Sequence, residues 1–323
     1  MHEPVLLAEA LRFLSVKPDG VYLDVTVGTG GHASGILARL GPKGCLVGID
    51  RDREVLPLAR CRLGCPTEEA GHRGGPSGDG HARVDSRARV LLRPGDLADI
   101  YYVCRELGLD AVDGVLADLG LSSWQLDSAE RGFSHRLPGP LDMRYDRCQE
   151  GTGADILARA SAAELTDIFA RYGEEPRARR LAQAIVQRRR TEPVRTTTDL
   201  ADIVRSVVPG RPQGDALART FQALRIATNG ELDRLERFLA VVPSLLGVGG
   251  RLVVISFHSL EDRRVKQALG RGARAGLWRV LTTKPARPSA EEVARNPRSR
   301  SARLRAAEKL LVTGRARGEG GGP

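Results

Sequence analysis

The chain has 323 residues, 41% of them hydrophobic and 28% charged, which is the composition of a folded globular protein with room for one large α/β domain and a smaller one. A net charge of +10 favours a polyanionic partner, while aromatic residues at 4% argue against an extended base-stacking platform. No run approaches the length of a membrane span, and Met1-His2-Glu3-Pro4 lacks the basic then apolar pattern of a secretory signal.

The first informative segment is Asp24-Val25-Thr26-Val27-Gly28-Thr29-Gly30-Gly31-His32. An apolar strand, Val21–Val25, runs into a glycine-rich turn, and a helix-compatible run, His32 to Leu40, follows. Strand, glycine turn and helix is how an α/β sheet opens a nucleotide pocket at its carboxyl edge. Further strands are expected over Leu46–Asp50, Arg89–Leu92 and Val112–Asp118, separated by helical segments, which predicts a parallel sheet covered on both faces. Residues 64–87, rich in Gly, Pro, Ser and charge, read as a flexible insertion.

From Leu137 to Pro212 the strand signals vanish, and Ala154–Ala160, Ala162–Tyr172 and Arg177–Arg190 read as helices. Ser161 and Glu164 form a capping-box pattern at the start of the second. The α/β pattern then resumes with helices over Leu217–Ile226 and Glu231–Leu246 and a buried strand over Leu252–Ser256. Arg279–Thr282 and Lys309–Val312 are the candidates to complete the sheet. The expected organisation is a Rossmann-like α/β sheet domain in two parts, 1–136 and 214–313, with a helical insert at 137–213 and a disordered tail at 314–323.

The five cysteines, Cys45, Cys61, Cys65, Cys104 and Cys148, do not read as a disulfide framework, and a reducing cytoplasm is the expected compartment. Cys61, Cys65, His72 and His81 match no standard zinc spacing; they read as free residues on a flexible loop, and no metal is expected.

Gly28, Gly30 and Ala33 satisfy G-x-G-x-x-G/A, and Asp50 stands at the distance of a ribose-binding acid. Spacing alone leaves a dinucleotide and an adenosyl cofactor tied. Electrostatics separates them. A pyrophosphate favours a helix N-terminus free of carboxylates. Here Asp24, Asp50 and Asp118 each end an expected strand, so an acidic edge stands in a basic chain. That edge suits S-adenosylmethionine, which has no phosphate and carries a sulfonium and an ammonium. The fourth strand leaves into Asp118-Leu119-Gly120-Leu121-Ser122-Ser123. An exocyclic amine is a poor nucleophile, and an oxygen acceptor that hydrogen-bonds it helps localise its lone pair and later assists proton loss. Asp118, Ser122 and Ser123 are candidates for that group. A second possibility is that Asp118 contacts cofactor and the serines cap a turn. The loop usual in aminomethylases, an acid or Asn followed by two prolines and an aromatic, is absent.

Several long blocks carry a resemblance. They are His2-x-Pro4-Val5-Leu6-Leu7-x-Glu9, the glycine loop through His32, and Asp113-Gly114-x-Leu116-x-Asp118-Leu119-Gly120-x-Ser122-Ser123-x-Gln125-Leu126-Asp127. Arg131-Gly132-Phe133-Ser134, Leu141-Asp142-Met143-Arg144 and Phe221-Gln222-Ala223-Leu224-Arg225-Ile226 follow. The last are Ser256-Phe257-His258-Ser259-Leu260-Glu261-Asp262-Arg263 and Asn296-Pro297-Arg298-Ser299-Arg300-Ser301-Ala302. In these blocks, nearly end to end, the chain resembles the bacterial small-subunit ribosomal RNA cytosine-N4 methyltransferases.

The resemblance implies a methyltransferase-type Rossmann domain with a helical insert for substrate recognition. It implies S-adenosylmethionine-dependent N4-methylation of a cytidine in the decoding region of 16S ribosomal RNA, with the small ribosomal subunit as partner and no membrane. Cofactor contacts would fall on Gly30, Gly31, His32, Asp50, Asp118 and Gln125. A further family contact, usually phenylalanine, falls on Leu97, whose aliphatic side chain packs a ring without stacking on it. His258, just after a buried strand, joins Asp118 and Ser122 as a catalytic candidate, placed to meet the acceptor base or a phosphate.

Arg263 to Arg305 holds thirteen Lys/Arg against Glu291 and Glu292. Within it, Arg298, Arg300 and Arg303 are the expected RNA contacts. Arg188-Arg189-Arg190 offers a second surface or simply an exposed helix end. Asp142 and Arg144 either line the interdomain cleft or pair with each other. Competing readings are a nicotinamide-dependent oxidoreductase, a non-catalytic RNA-binding assembly factor, and an aminomethylase acting on DNA or protein.

Overall fold

A computed structural model describes residues 4–65, 82–83, 88–210 and 213–311. The first part of the chain alternates helix and strand: α1 (Leu7–Leu14), β1 (Val21–Asp24), α2 (Gly31–Leu37), β2 (Cys45–Asp50), α3 (Leu56–Leu63), β3 (Ala82–Arg83), β4 (Arg89–Pro94), α4 (Ile100–Glu106), β5 (Val112–Asp118) and the short α5 (Ser123–Asp127). The strands order as β3-β4-β2-β1-β5, continued by β6 (Leu246–Ser256), β8 (Arg303–Lys309) and β7 (Trp278–Val280). Strands β4, β2, β1, β5 and β6 are parallel; β3 and β8 pair antiparallel with their neighbours.

The period of two along each strand divides the core into two layers. Leu46, Leu116, Val253 and Ile255 join one cluster with Leu11 and Leu14 of α1 and Ile36 of α2. Val47, Val115, Ala117, Leu252 and Val254 join the other with Cys104 of α4 and Phe238 and Val242 of α11 (Glu231–Leu245). Both faces are therefore covered, and the chain reverses its direction of travel across the sheet between β1 and β5. Such a switch point opens a crevice at the carboxyl ends of the strands.

Between β5 and α11 lies a helical body of α6 (Gly153–Arg159), α7 (Ala162–Gly173), α8 (Ala178–Arg188), α9 (Thr197–Val207) and α10 (Gln213–Asn229). Capping boxes start three of them, Thr152/Asp155, Ser161/Glu164 and Thr196/Asp199, each worth about 1 kcal/mol. Their apolar faces bury Leu157, Leu165, Phe169, Ile185 and Val204 together. Helix α10, which the sequence pattern assigns to the resumed α/β part, packs Leu217, Phe221 and Leu224 into this same cluster. The chain closes with α12 (Ser259–Arg274), β7, α13 (Ala290–Arg295) and β8.

Several sequence expectations shift. The last strand is Arg303–Lys309 rather than Lys309–Val312. Its charges hide the alternation: Arg305 is buried because Asp262 pairs with it through two hydrogen bonds, at 2.6 and 3.2 Å. Cys61 sits on α3 rather than on a loop, and Cys65 follows that helix just past its C-cap and is buried; the five cysteines are unpaired. His72 and His81, most of the expected 64–87 insertion, and the 314–323 tail lie outside the described residues. Among the described residues no helix is long and apolar enough to cross a membrane.

Candidate active site

The loop after β1 is built on backbone hydrogen bonds to acids. Asp24, 1% exposed, accepts from Thr26 N at 3.2 Å and from Ala33 N. Burial pushes its carboxyl up to about 7. It braces the turn from beneath and is not on the cavity, so the acidic edge consists of Asp50 and Asp118 rather than three acids. Gly30 takes φ +81° at the head of α2, and a Cβ there would press on the Ala59 backbone at 3.4 Å. Asp50 accepts from Gly28 N at 2.7 Å and Asp52 N at 2.8 Å, which ties the loop to the end of β2. Its carboxyl is raised to about 6, chiefly by burial.

Above this edge lies a cavity of about 450 Å³, the size of a small-ligand site. Gly28, Thr29 and Gly31 form one rim, Asp50 and Leu97 another, and Asp118 through Leu126 a third. His32 is buried; its Nε2 meets Val5 O at 2.9 Å, so the neutral ring donates from Nε2 and leaves Nδ1 bare. Burial lowers its pKa to about 4. Nδ1 faces Asp118 Oδ2 at 3.4 Å. Burial and the nearby Asp24 and Glu261 carboxyls raise Asp118 well above the usual carboxylate range. Its Oδ1 is buried without a hydrogen-bond partner among the described residues.

Gln125 is held from both ends. Its Oε1 accepts from Ser122 N at 2.9 Å, and its Nε2 donates to Asp52 Oδ2 at 2.7 Å. Ser122 Oγ accepts from Gln125 N, so this serine caps α5. Asp52 also receives the Arg131 guanidinium at 2.8 Å. Arg131 is wholly buried; it donates further to Glu54 and to the carbonyls of Arg144 and Tyr145. One arginine thereby joins the β2 end to the segment leading into the helical body.

The opposite wall comes from α10, α11 and the N-terminus of α12. Arg225 pairs with Glu231 through two bonds of 2.8 Å. Tyr145 lines the cavity, and its hydroxyl is buried with no partner among the described residues. Asn229 accepts from Tyr145 N at 2.9 Å and donates to Met143 O at 2.7 Å, and its own carbonyl receives Arg51 and Arg234. Glu261 accepts from Phe257 N and faces His258 Nε2 at 3.1 Å. Glu231, His258 and Glu261 bring ligand atoms within 4.8 Å of one another, the spacing of a cation site. Arg225 already pairs with Glu231, and His258 Nε2 lies 3.1 Å from Glu261.

Of the sequence-derived cofactor residues, Gly31, His32, Asp50, Leu97, Asp118 and Gln125 surround the cavity, whereas Gly30 stands behind it as a packing glycine. Among the catalytic candidates, Asp118, Ser122 and Ser123 reach the lining; His258 does not, and its partner Glu261 does. Arg298 lines the mouth while paired with Asp127 at 2.6 Å, Arg300 is exposed, and Arg303 lies 3.5 Å from Asp262. Asp142 and Arg144 pair with each other at 2.8 Å. Arg188 pairs with Glu192, and Arg189 turns inward to the carbonyls of Leu157 and Ala160, so only Arg190 of that triplet keeps the character of a free surface charge. Asp52, Arg131, Tyr145, Asn229 and Glu261 were not singled out from sequence. The blocks Arg131-Gly132-Phe133-Ser134 and Ser256 to Arg263 contained two of them without indicating a role.

The model of the MraW methylase family matches residues 1–73 and 79–310. The ribosomal RNA small subunit methyltransferase H of Acidobacterium capsulatum is 46% identical over 310 residues, covering 95% of this chain and 98% of its own length. The protein of the same name from Thermomicrobium roseum is 45% identical, covering 97% and 95%. That of Cyanothece sp. is 46% identical, covering 96% and 95%. With a switch-point cavity of this construction and a match running through almost all of its length, this chain belongs to the MraW methylase family.

Proposed function

We propose that this protein transfers a methyl group from S-adenosylmethionine to the exocyclic N4 amine of a cytidine in the decoding region of 16S ribosomal RNA, acting on the small ribosomal subunit in the cytoplasm. The observation that carries the reading is the switch-point cavity with Asp118 on its lining, one carboxyl oxygen of which, Oδ1, is buried without a partner among the described residues. A buried acceptor without a partner costs about 1–3 kcal/mol unless a ligand donor satisfies it. The cofactor's ammonium and sulfonium suit an edge bearing Asp50 and Asp118 in a chain of net charge +10. The names of relatives at 45–46% identity support the RNA substrate.

When bound, the cofactor supplies an electrophilic methyl group. The chain's part is to hold and orient. Asp50, fixed by Gly28 N and Asp52 N, is set to accept from ribose hydroxyls. Leu97 lines the cavity where it would pack against the adenine, and Gly31, His32 and Gln125 would complete that side. The Asp118 carboxylate would accept a hydrogen bond from the target amine and would take up the proton that the amine loses as the N–CH3 bond forms and the sulfonium–methyl bond breaks. Positioning supplies much of the rate, because the methyl group is already activated. Ser122 orders the α5 turn, and His258 acts through Glu261. The target base must be unstacked to reach this depth, and the helical body of residues 137–213, with α10 packed on it, is the substrate-recognition part. The test is transfer from isotope-labelled S-adenosylmethionine to unmodified small subunits, followed by nucleoside mass spectrometry. Labelled N4-methylcytidine is expected. Cofactor binding without any labelled nucleoside would move the acceptor to DNA, protein or no acceptor at all.

A further inference from the structure

Helix α12 carries a second cleft, separate from the cavity above. Arg263, Lys266, Gln267, Gly270, Arg271 and Arg274 line it. Their spacing of three and four places them on one face of the helix. The opposite wall is Val280, Thr282 and Thr283 after β7, with Arg305 of β8 at its base. The cleft measures about 510 Å³, and no acid lines it. Two of its five cations are neutralised from outside: Arg263 by Glu174 at 3.3 Å and Arg305 by Asp262 at 2.6 Å. Among the described residues Lys266, Arg271 and Arg274 have no carboxylate within 4 Å, and all three are exposed. Three unneutralised cations converging on a concave, hydroxyl-edged surface repel one another unless an anion joins them.

The placement of the cleft adds direction. Glu261, on the first turn of α12, faces the methyl-transfer cavity, and Arg271 and Arg274 follow ten and thirteen residues later. At 1.5 Å per residue, that is roughly 15–20 Å along the helix. One strand of a stacked nucleic acid advances about 3.4 Å per nucleotide, so the distance spans about five nucleotides.

We propose that the cleft between α12 and the β7 edge binds the phosphodiester backbone of the substrate RNA from about two nucleotides (Lys266) to about five nucleotides (Arg271 and Arg274) away from the target base, with these three residues as its phosphate contacts. The identity of the polyanion rests on the function proposed above; the cleft itself does not. By contrast, Arg298 and Arg303 have acidic neighbours, Asp127 and Asp262, that any phosphate must displace. The α12 surface supplies free charge, and it extends the bound strand beyond the mouth of the cavity.

The test uses the full chain with Lys266, Arg271 and Arg274 all changed to Gln, and a second variant with all three changed to Glu. Binding of a fluorescent single-stranded RNA from the 16S decoding region is followed by anisotropy from 50 to 300 mM salt. Losing three phosphate contacts on a single strand lowers the slope of log K against log salt by about 2. We expect that change, at least tenfold weaker RNA binding in the Gln variant, and unchanged S-adenosylmethionine affinity by calorimetry. Unchanged affinity and salt slope in both variants would overturn the proposal. RNA binding lost together with cofactor binding marks a folding defect, and a single Arg271→Gln variant that keeps cofactor affinity then decides: a salt slope lowered by about 0.7 supports the proposal and an unchanged slope overturns it. Methylation of small subunits by the unaltered protein is measured in parallel. Its absence, with the anisotropy result intact, refutes the substrate assignment and leaves the cleft as a general polyanion site. A slope that changes for an acidic polypeptide but not for RNA reassigns the partner and overturns the RNA reading.

Discussion

Arg131→Ala tests the idea that one buried guanidinium holds the cavity together. The side chain is 0% exposed and its partner Asp52 is 2% exposed, so neither charge is screened by water. Removing the arginine leaves Asp52 with the Gln125 amide and Glu54 N as its remaining donors. It also strips the Arg144 and Tyr145 carbonyls of their bonds at 3.0 and 2.9 Å. Breaking a buried ion pair from one side costs about 3–5 kcal/mol. At about 2.1 cal/mol/K per residue, roughly 300 ordered residues give an unfolding entropy near 0.6 kcal/mol/K, so the midpoint should fall by about 5–8 °C. The partner Glu54 is 42% exposed, and Glu54→Gln should cost no more than about 1 kcal/mol, or below 2 °C. Differential scanning calorimetry of the two variants beside the unaltered protein provides the comparison. Cofactor affinity should also fall in Arg131→Ala, because Asp52 orients Gln125. A midpoint within 2 °C of the unaltered protein would refute the buried-pair argument. An unchanged cofactor affinity at full loss of stability would confine Arg131 to a structural role.

Three further outcomes are expected. Asp24 and Asp50 are raised by burial to about 7 and about 6, so the folded protein retains protons that the unfolded chain has released above pH 4. His32, lowered by burial to about 4, acts with the opposite sign but over a smaller shift than the two acids together, so stability of the cofactor-free protein should still fall on balance as pH rises from 4 to 7, on the order of a few kcal/mol, and urea titrations giving a rise over that range would contradict it. Leu97→Phe restores an aromatic surface at the cavity edge and should tighten S-adenosylmethionine binding by roughly 3- to 10-fold, matching 0.5–1.5 kcal/mol of ring stacking; calorimetry showing weaker binding would mean the ring does not fit. Gly132 has φ +70° and a Cβ there would stand 2.1 Å from Pro140 O, whereas Gly108 has φ +67° and open space. Gly132→Ala should thus cost about 3 kcal/mol or more and Gly108→Ala about 1 kcal/mol, and equal unfolding midpoints for the two would rule out the contact term.

Sequence alone determined the local parts of this protein. The strand, glycine turn and helix around Asp24 to His32 were legible because the apolar period and the turn residues are neighbours in the chain. The capping box at Ser161 and Glu164 was legible for the same reason. The acids ending β2 and β5 could be read as a ligand edge because strand ends in a parallel sheet converge whatever the detailed packing. Helices α1, α3, α4 and α9 were less visible: much of their stability comes from faces buried against the sheet or the helical body. Strand β8 was displaced in the reading because its charges look exposed until Asp262, 43 residues earlier than Arg305, is known to face it.

Only the tertiary structure decided the rest of the site. Arg131 and Asp52 lie 79 positions apart in sequence, Asn229 and Met143 lie 86 apart, and nothing near any of them records its partner. The removal of Asp24 and His258 from the cavity, and the arrival of Tyr145 and Glu261 on it, depend on which face of an element turns inward. A charge or hydroxyl becomes functional here by losing water without gaining a protein partner, and that balance is set by contacts between distant segments, which propensity and spacing do not encode.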